Sequence, residues 1–114
     1  MNVNYTYYAK LVRVIDGDTI VVMIDLGHSI WVKRHLRLLN VDAPETRTKD
    51  LEEKKRGIQV RNRLISFLQL RDVMTVQTTS KDSFGRWLAN VWVDGLSVND
   101  IVRSYTKSVQ NSNL

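Results

Sequence analysis

At 114 residues the chain has room for one domain around one modest core. Its composition, 43% hydrophobic and 25% charged, is that of a folded globular protein and excludes wholesale disorder; the absence of cysteine excludes a disulfide framework and a thiolate metal site. A net charge of +5 leans toward anionic partners, whether phosphate backbones or acidic membranes.

Tyr7 to Ile15 is rich in strand formers and ends at Asp16-Gly17-Asp18, a hairpin-turn signal. Thr19 to Leu26 follows with β-branched residues at Thr19, Ile20, Val21, Val22 and Ile24. Gly27-His28-Ser29 reads as a second turn, and Ile30 to Leu39 as a third strand that completes a meander. Asn40 to Lys49 holds the sole proline, Pro44, and reads as an ordered loop. From Leu51 to Leu70 the apolar period shifts from two toward 3.6, which sets Leu51, Ile58, Leu64, Ile65 and Leu68 on one face and Lys and Arg on the other. Asp50, three residues before Glu53, resembles a capping box at its start. Val73 to Thr79 and Leu88 to Val93 read as two more strands, the second closed by Asp94-Gly95. A short helix begins near Ser97, a capping residue ahead of Asp100, and the Ser-, Asn-, Thr- and Gln-rich segment 104–114 is expected to fray.

Five short strands, a helix between the third and fourth, and a short C-terminal helix predict a mainly β protein, a five-stranded OB-fold barrel. A single domain is expected over 1–114, with its core at about 7–103. Neither a signal-peptide pattern nor an apolar run of transmembrane length is visible, so no membrane partner and a cytoplasmic location are expected. A mature secreted form would read the same.

Four charged clusters could carry chemistry. Asp16 and Asp18 flank a glycine at a strand end, Arg37 sits among leucines, Asp42 and Glu45 share a loop with Pro44, and Arg86 follows Phe84-Gly85. Each alone has a bland reading: a hairpin turn, a paired strand arginine, a rigid proline loop, a turn. Together they supply what phosphodiester hydrolysis needs, an activated water and cations facing the phosphoryl oxygens. Asp18 and Asp42 offer hard oxygen ligands that suit calcium or magnesium better than zinc, and the histidines, His28 and His35, lie outside the clusters and read as surface residues. Glu45 could hold or deprotonate the water, while Arg37 and Arg86 could fork onto the phosphate.

The order of these motifs resembles the staphylococcal nuclease (thermonuclease-like) family. The matching segments are Val14-Ile15-Asp16-Gly17-Asp18-Thr19, then Arg37 through Thr46, then Asp82-Ser83-Phe84-Gly85-Arg86 with Trp87-Leu88-Ala89, and Val98-Asn99 after Asp94-Gly95. The resemblance covers about residues 8 to 103. The resemblance implies a calcium cofactor held by the Asp18 and Asp42 carboxylates and the backbone carbonyl of Ala43. It implies Glu45 as general base or water-positioning group and Arg37 and Arg86 as the phosphate-binding pair. DNA and RNA are the implied substrates, cut at the bond to the 5′ oxygen to leave a 3′-phosphate. Ser83 and Phe84 stand where the family has a Lys-Tyr pair on the terminal phosphate of a bound nucleotide, so substrate contacts at these two positions are expected in altered form. The family usually continues into a last helix beyond this sequence. An apolar patch near Trp87, Trp92 and Tyr105 is therefore expected, with self-association through the helix after Ser97. The rival reading is a catalytically inactive OB-fold module that binds single-stranded nucleic acid by stacking and charge; retention of Asp18, Arg37, Asp42, Glu45 and Arg86 together favours the nuclease.

Overall fold

A computed structural model describes residues 5–71 and 73–111. In chain order the elements are β1 (Tyr5–Asp16), β2 (Thr19–Asp25), β3 (Trp31–Leu38), α1 (Leu51–Leu68), β4 (Met74–Lys81), β5 (Trp87–Val93), β6 (Leu96–Ser97) and α2 (Val98–Asn111). Neighbours in the order β3-β2-β1-β4-β5-β6 pair antiparallel. A parallel pairing of β3 with β5, Leu36 opposite Trp87 and Arg37 opposite Leu88, closes the first five strands into a barrel. This is the mainly β barrel the strand pattern predicts, with one helix between strands 3 and 4 and another at the C-terminal end.

Alternation along the strands fills the barrel. Ile20, Val22 and Ile24 from β2, Leu36 and Leu38 from β3, Met74 and Val76 from β4, and Ala89, Val91 and Val93 from β5 are all buried. Register shifts between Leu11 and Arg13 in β1 and between Thr78 and Ser80 in β4 mark bulges that sharpen the coiling needed for closure.

α1 starts where Asp50 caps it, its Oδ1 accepting from the backbone N–H groups of Glu52 at 3.1 Å and Glu53 at 3.3 Å. Its buried face differs from the sequence expectation: Gly57, Val60, Leu64 and Leu68 face inward, whereas Leu51 is 75% exposed. The reason is close packing. A Cβ on Gly57 would meet the Glu45 carbonyl oxygen at 2.5 Å and that of Pro44 at 2.8 Å, so the helix backbone lies directly against the 44–45 backbone. The face is centred where only glycine fits, and Leu51 falls beyond it.

Ser97 caps α2 as the sequence suggests, its Oγ accepting from the Asp100 N–H at 3.2 Å. The helix is 14 residues long rather than short, and it corrects the expectation of fraying from Ser104: helical backbone continues through Asn111. Val102, Thr106 and Val109, spaced four and three apart, are buried along one face and hold it down. The remainder of that expectation, residues 112–114, lies outside the described residues. Buried Asn99 ties α2 to the barrel. Its Oδ1 accepts from Val91 N at 2.9 Å, and its Nδ2 donates to the carbonyls of Leu39 and Ala89 at 3.0 Å each.

The contact at Gly57 sets two effects against each other. Ala at a helix interior is favoured over Gly by about 1 kcal/mol, but forcing a methyl into a filled contact costs about 1–3 kcal/mol. Here the obstacle is backbone, which cannot swing aside as a side chain can. Gly57→Ala is expected to lower the urea midpoint; a rise would mean that the 44–45 loop has room to retreat.

Candidate active site

Three backbone segments meet beside one end of the barrel. The turn Asp16-Gly17-Asp18 joins β1 to β2, the 41–46 loop follows β3, and α1 packs on both. A Cβ on Gly17 would meet Val60 Cγ1 of α1 at 2.5 Å and the Ala43 Cβ at 2.9 Å. Polar bonds lock the same junction. Asp16 Oδ1 accepts from Thr46 Oγ1 at 2.6 Å and from Thr46 N at 3.2 Å, and Asp18 Oδ2 accepts from Ala43 N at 3.2 Å. The 41–46 loop is thereby clamped at both ends of its functional stretch.

Arg37 leaves β3 toward this junction. Its Nη2 lies 3.5 Å from Asp18 Oδ2, and its Nη1 donates to the Leu38 carbonyl at 2.9 Å and to that of Val41. Arg86 arrives from the β4–β5 turn. Its Nε pairs with Asp82 Oδ2 at 2.6 Å, while Asp82 Oδ1 accepts from the backbone N–H groups of Phe84 and Arg86 at 2.9 Å each. Gly85, at φ +83°, permits that tight turn. Thr19 links the two arginine systems: its Oγ1 donates to Asp18 Oδ1 at 3.1 Å and accepts from Arg86 Nη1 at 3.4 Å. Arg37, Asp42, Asp82 and Arg86 line one open cavity of about 590 Å³, which is of a size to admit a small ligand.

Asp18, Ala43, Glu45, Ser83 and Phe84 are not among the residues lining this cavity. Ala43 is buried, with its N–H on Asp18. Asp42 and Glu45 are exposed, and among the described residues neither side chain forms an ion pair or hydrogen bond. Ser83 and Phe84 are exposed in the β4–β5 turn, Phe84 with the Arg86 guanidinium 5.5 Å from its ring centre. No three His, Cys, Asp or Glu side chains converge among the described residues. His28 and His35 are exposed, as expected. Trp87 and Tyr105, grouped in the sequence reading as one uncovered patch, line different cavities.

Sequence reasoning missed the supporting roles of three residues. Asp82 aims Arg86, Asp16 anchors Thr46, and Thr19 bridges Asp18 to Arg86. The spacing Asp82-x-x-Gly85-Arg86 was the available signal, because an aspartate four residues before an arginine across a glycine turn can bond both its side chain and its backbone.

The two buried-side carboxylates differ electrostatically. Burial pushes Asp82 up, but the hydrogen bonds from Arg86 and Phe84 and the Arg86 charge outweigh it and hold its carboxyl below the usual range. Burial also raises Asp18; Arg37, Thr19 and the Ala43 N–H pull down only part of that rise, and Asp16 adds to it. Asp18 is thus a carboxylate whose negative charge is incompletely compensated by protein. Its folded-state pKa lies above the unfolded one, so its contribution to stability is fully present below the ordinary carboxylate value, about 3.9, and is lost as pH rises through the raised value. In chelator, Asp18→Asn, which stays neutral, should gain stability relative to wild type as pH rises through that window and then level off. Urea midpoints of both proteins against pH read this directly; a pH-independent difference would contradict the assignment.

The family described as staphylococcal nuclease homologue matches residues 35–107, a stretch that includes Arg37, Asp42, Ala43, Glu45, Asp82 and Arg86. The thermonuclease of Staphylococcus hyicus is 34% identical over 93 residues, covering 81% of this chain and 52% of that protein. An uncharacterized endonuclease of Escherichia coli O157:H7 is 32% identical over 96 residues, 83% of this chain and 55% of its own length. Protein ParB of Escherichia coli is 35% identical over 85 residues, 75% of this chain and 41% of its own. The chain spans about half the length of these relatives. By this match, and by a barrel that brings Arg37, Asp42, Asp82 and Arg86 to one cavity, the chain belongs to the staphylococcal nuclease homologue family.

Proposed function

We propose that this chain is a calcium-dependent nuclease that hydrolyses phosphodiester bonds of DNA and RNA and leaves 3′-phosphate products. The observation that carries the reading is the pair Arg37 and Arg86 lining one cavity with Asp42, each arginine already held by its own aspartate. The names of the relatives, a thermonuclease and an endonuclease, support it.

A guanidinium has five N–H donors. Arg37 commits its Nη1 to two carbonyls and part of Nη2 to Asp18, which leaves Nε and one Nη2 hydrogen. Arg86 commits Nε to Asp82 and contacts Thr19 through Nη1, which leaves its Nη2 end. Both retain donors for phosphoryl oxygens, and both are orientated before substrate arrives, so little reorganisation is needed as charge develops. Glu45, exposed and without a protein partner, takes the role of orienting the attacking water and accepting its proton. The water oxygen bonds to phosphorus as the bond from phosphorus to the 5′ oxygen breaks, and the departing 5′ oxygen takes up a proton from solvent.

The site's donors fit a hard divalent cation: carboxylates of Asp18 and Asp42 and the Ala43 carbonyl, with no thiolate or imidazole among them. Asp18 in particular is only partly compensated by Arg37, Thr19 and the Ala43 N–H, and a cation would relieve the remainder. With so few protein ligands, water would complete the coordination shell. When bound there, calcium supplies charge neutralisation and Lewis acidity at the phosphoryl oxygens.

Single-stranded DNA and RNA should be cut in calcium and spared in chelator. Arg37→Ala and Arg86→Ala should each lower turnover by roughly 10²–10³ with the fold intact, and the Lys variants should not restore it, because an ammonium lacks the fork. Glu45→Gln should lower rate with calcium affinity retained, whereas Asp42→Asn should lose both. Protein that binds oligonucleotide yet never cuts it in any divalent metal would establish the inactive-module reading instead.

A further inference from the structure

Resting on the nuclease reading, the structure carries an account of which substrate form the site takes. A second cavity of about 480 Å³ adjoins the catalytic one, sharing Arg86 with it. Arg13, Lys33, Arg34 and His35 line it together with Phe84, and no carboxylate does. Among the described residues, none of those four basic side chains forms an ion pair. The bulge after Leu11 sets Arg13 on this side of the sheet, opposite Val21, which itself pairs with His35. Arg13, Lys33 and Arg34, lining one cavity that no carboxylate lines, repel one another, so an anion there relieves a standing cost.

A cation–ring contact links the basic cavity to a group of aromatic side chains. Arg34 lies over the Trp87 ring with 5.5 Å to its centre, and Trp87 meets Tyr7 at a centroid distance of 6.1 Å. Tyr7 and Tyr5 are parallel at 6.4 Å. Tyr5, Tyr7 and Trp87 line a third cavity together with Lys81. Tyr7 and Trp87 pack on the core, whereas Tyr5 is 51% exposed. Aromatic faces flanked by cations are what unpaired bases and their phosphates recognise, and stacked bases in a duplex cannot reach them.

We propose that a single-stranded polynucleotide leaving the catalytic cavity crosses the Arg13, Lys33, Arg34 and His35 cavity and stacks bases on Tyr5, Tyr7 and Trp87. The span is short: Lys33 to Arg37 along β3 is roughly 13 Å at strand rise. The track makes the enzyme prefer single strands through KM, without touching the reacting phosphate.

The test separates binding from cleavage. Fluorescence anisotropy in chelator measures the affinity of a labelled single strand of about 12 nucleotides and of the matching duplex. Cleavage of a dinucleotide, too short to reach the track, and of the long strand is measured separately in calcium. Arg13→Ser with Lys33→Ser, both exposed positions away from the core, should reduce the log–log salt slope for the single strand by about 1.4, at about 0.7 per phosphate contact. Tyr5→Ser should weaken single-strand binding about 5- to 100-fold and leave duplex binding and dinucleotide cleavage unchanged. Equal weakening of duplex and single strand, or no change in either, overturns the track. If the variants lose single-strand affinity in a chain that never cleaves, the track stands and the nuclease reading fails. If cleavage is normal and single-strand affinity does not move, the reverse holds.

Discussion

Everything at the site depends on two places where one backbone must touch another. Gly17 brings the β1–β2 turn against Ala43 and Val60, and Gly57 brings α1 against the carbonyls of Pro44 and Glu45. Between them the 41–46 loop has no freedom to drift, although it lacks regular secondary structure over most of its length. Close packing at protein density transmits position as firmly as a hydrogen-bonded ladder does. α1 is thus a buttress for a loop as much as a cover for the barrel.

On that frame, two aspartates hold two arginines in different ways. Asp82 forms a short, several-fold bonded pair with Arg86, which fixes the arginine at little electrostatic cost. Asp18 meets Arg37 at a longer distance, and burial outweighs that attraction and raises its pKa. One pair is bonded several times over, and the other meets at a single longer contact.

Much of this was legible in the sequence, for identifiable reasons. The strands announced themselves through β-branched alternation, and both helix starts through Asp50 and Ser97. That Arg37, Asp42 and Arg86 line one cavity was hinted at only by their joint occurrence, since each alone reads as an ordinary strand arginine, loop or turn. The far part of α2 was missed because its polar composition outweighed a faint spacing at Val102, Thr106 and Val109. Leu51 was misplaced because hydrophobicity, not closeness, was used to centre the buried face; glycine carries no hydrophobic signal, yet the contact is built on Gly57. Asp82, Asp16 and Thr19 act through partners far away in sequence, such as Thr46 and Arg86, and only the closed barrel reveals those.

The parallel pairing of β3 with β5 has a consequence in time rather than in space. It joins Leu36 to Trp87 and Arg37 to Leu88, residues separated by the whole of α1 and β4. Parallel contacts between distant segments form late, because the loop entropy of the intervening chain must be overcome first. Arg37 and Arg86 lie on either side of that seam, so they come together only when it closes. A nascent or partly unfolded chain would carry each arginine but not the pair, so the cavity that both line exists only once the barrel has closed.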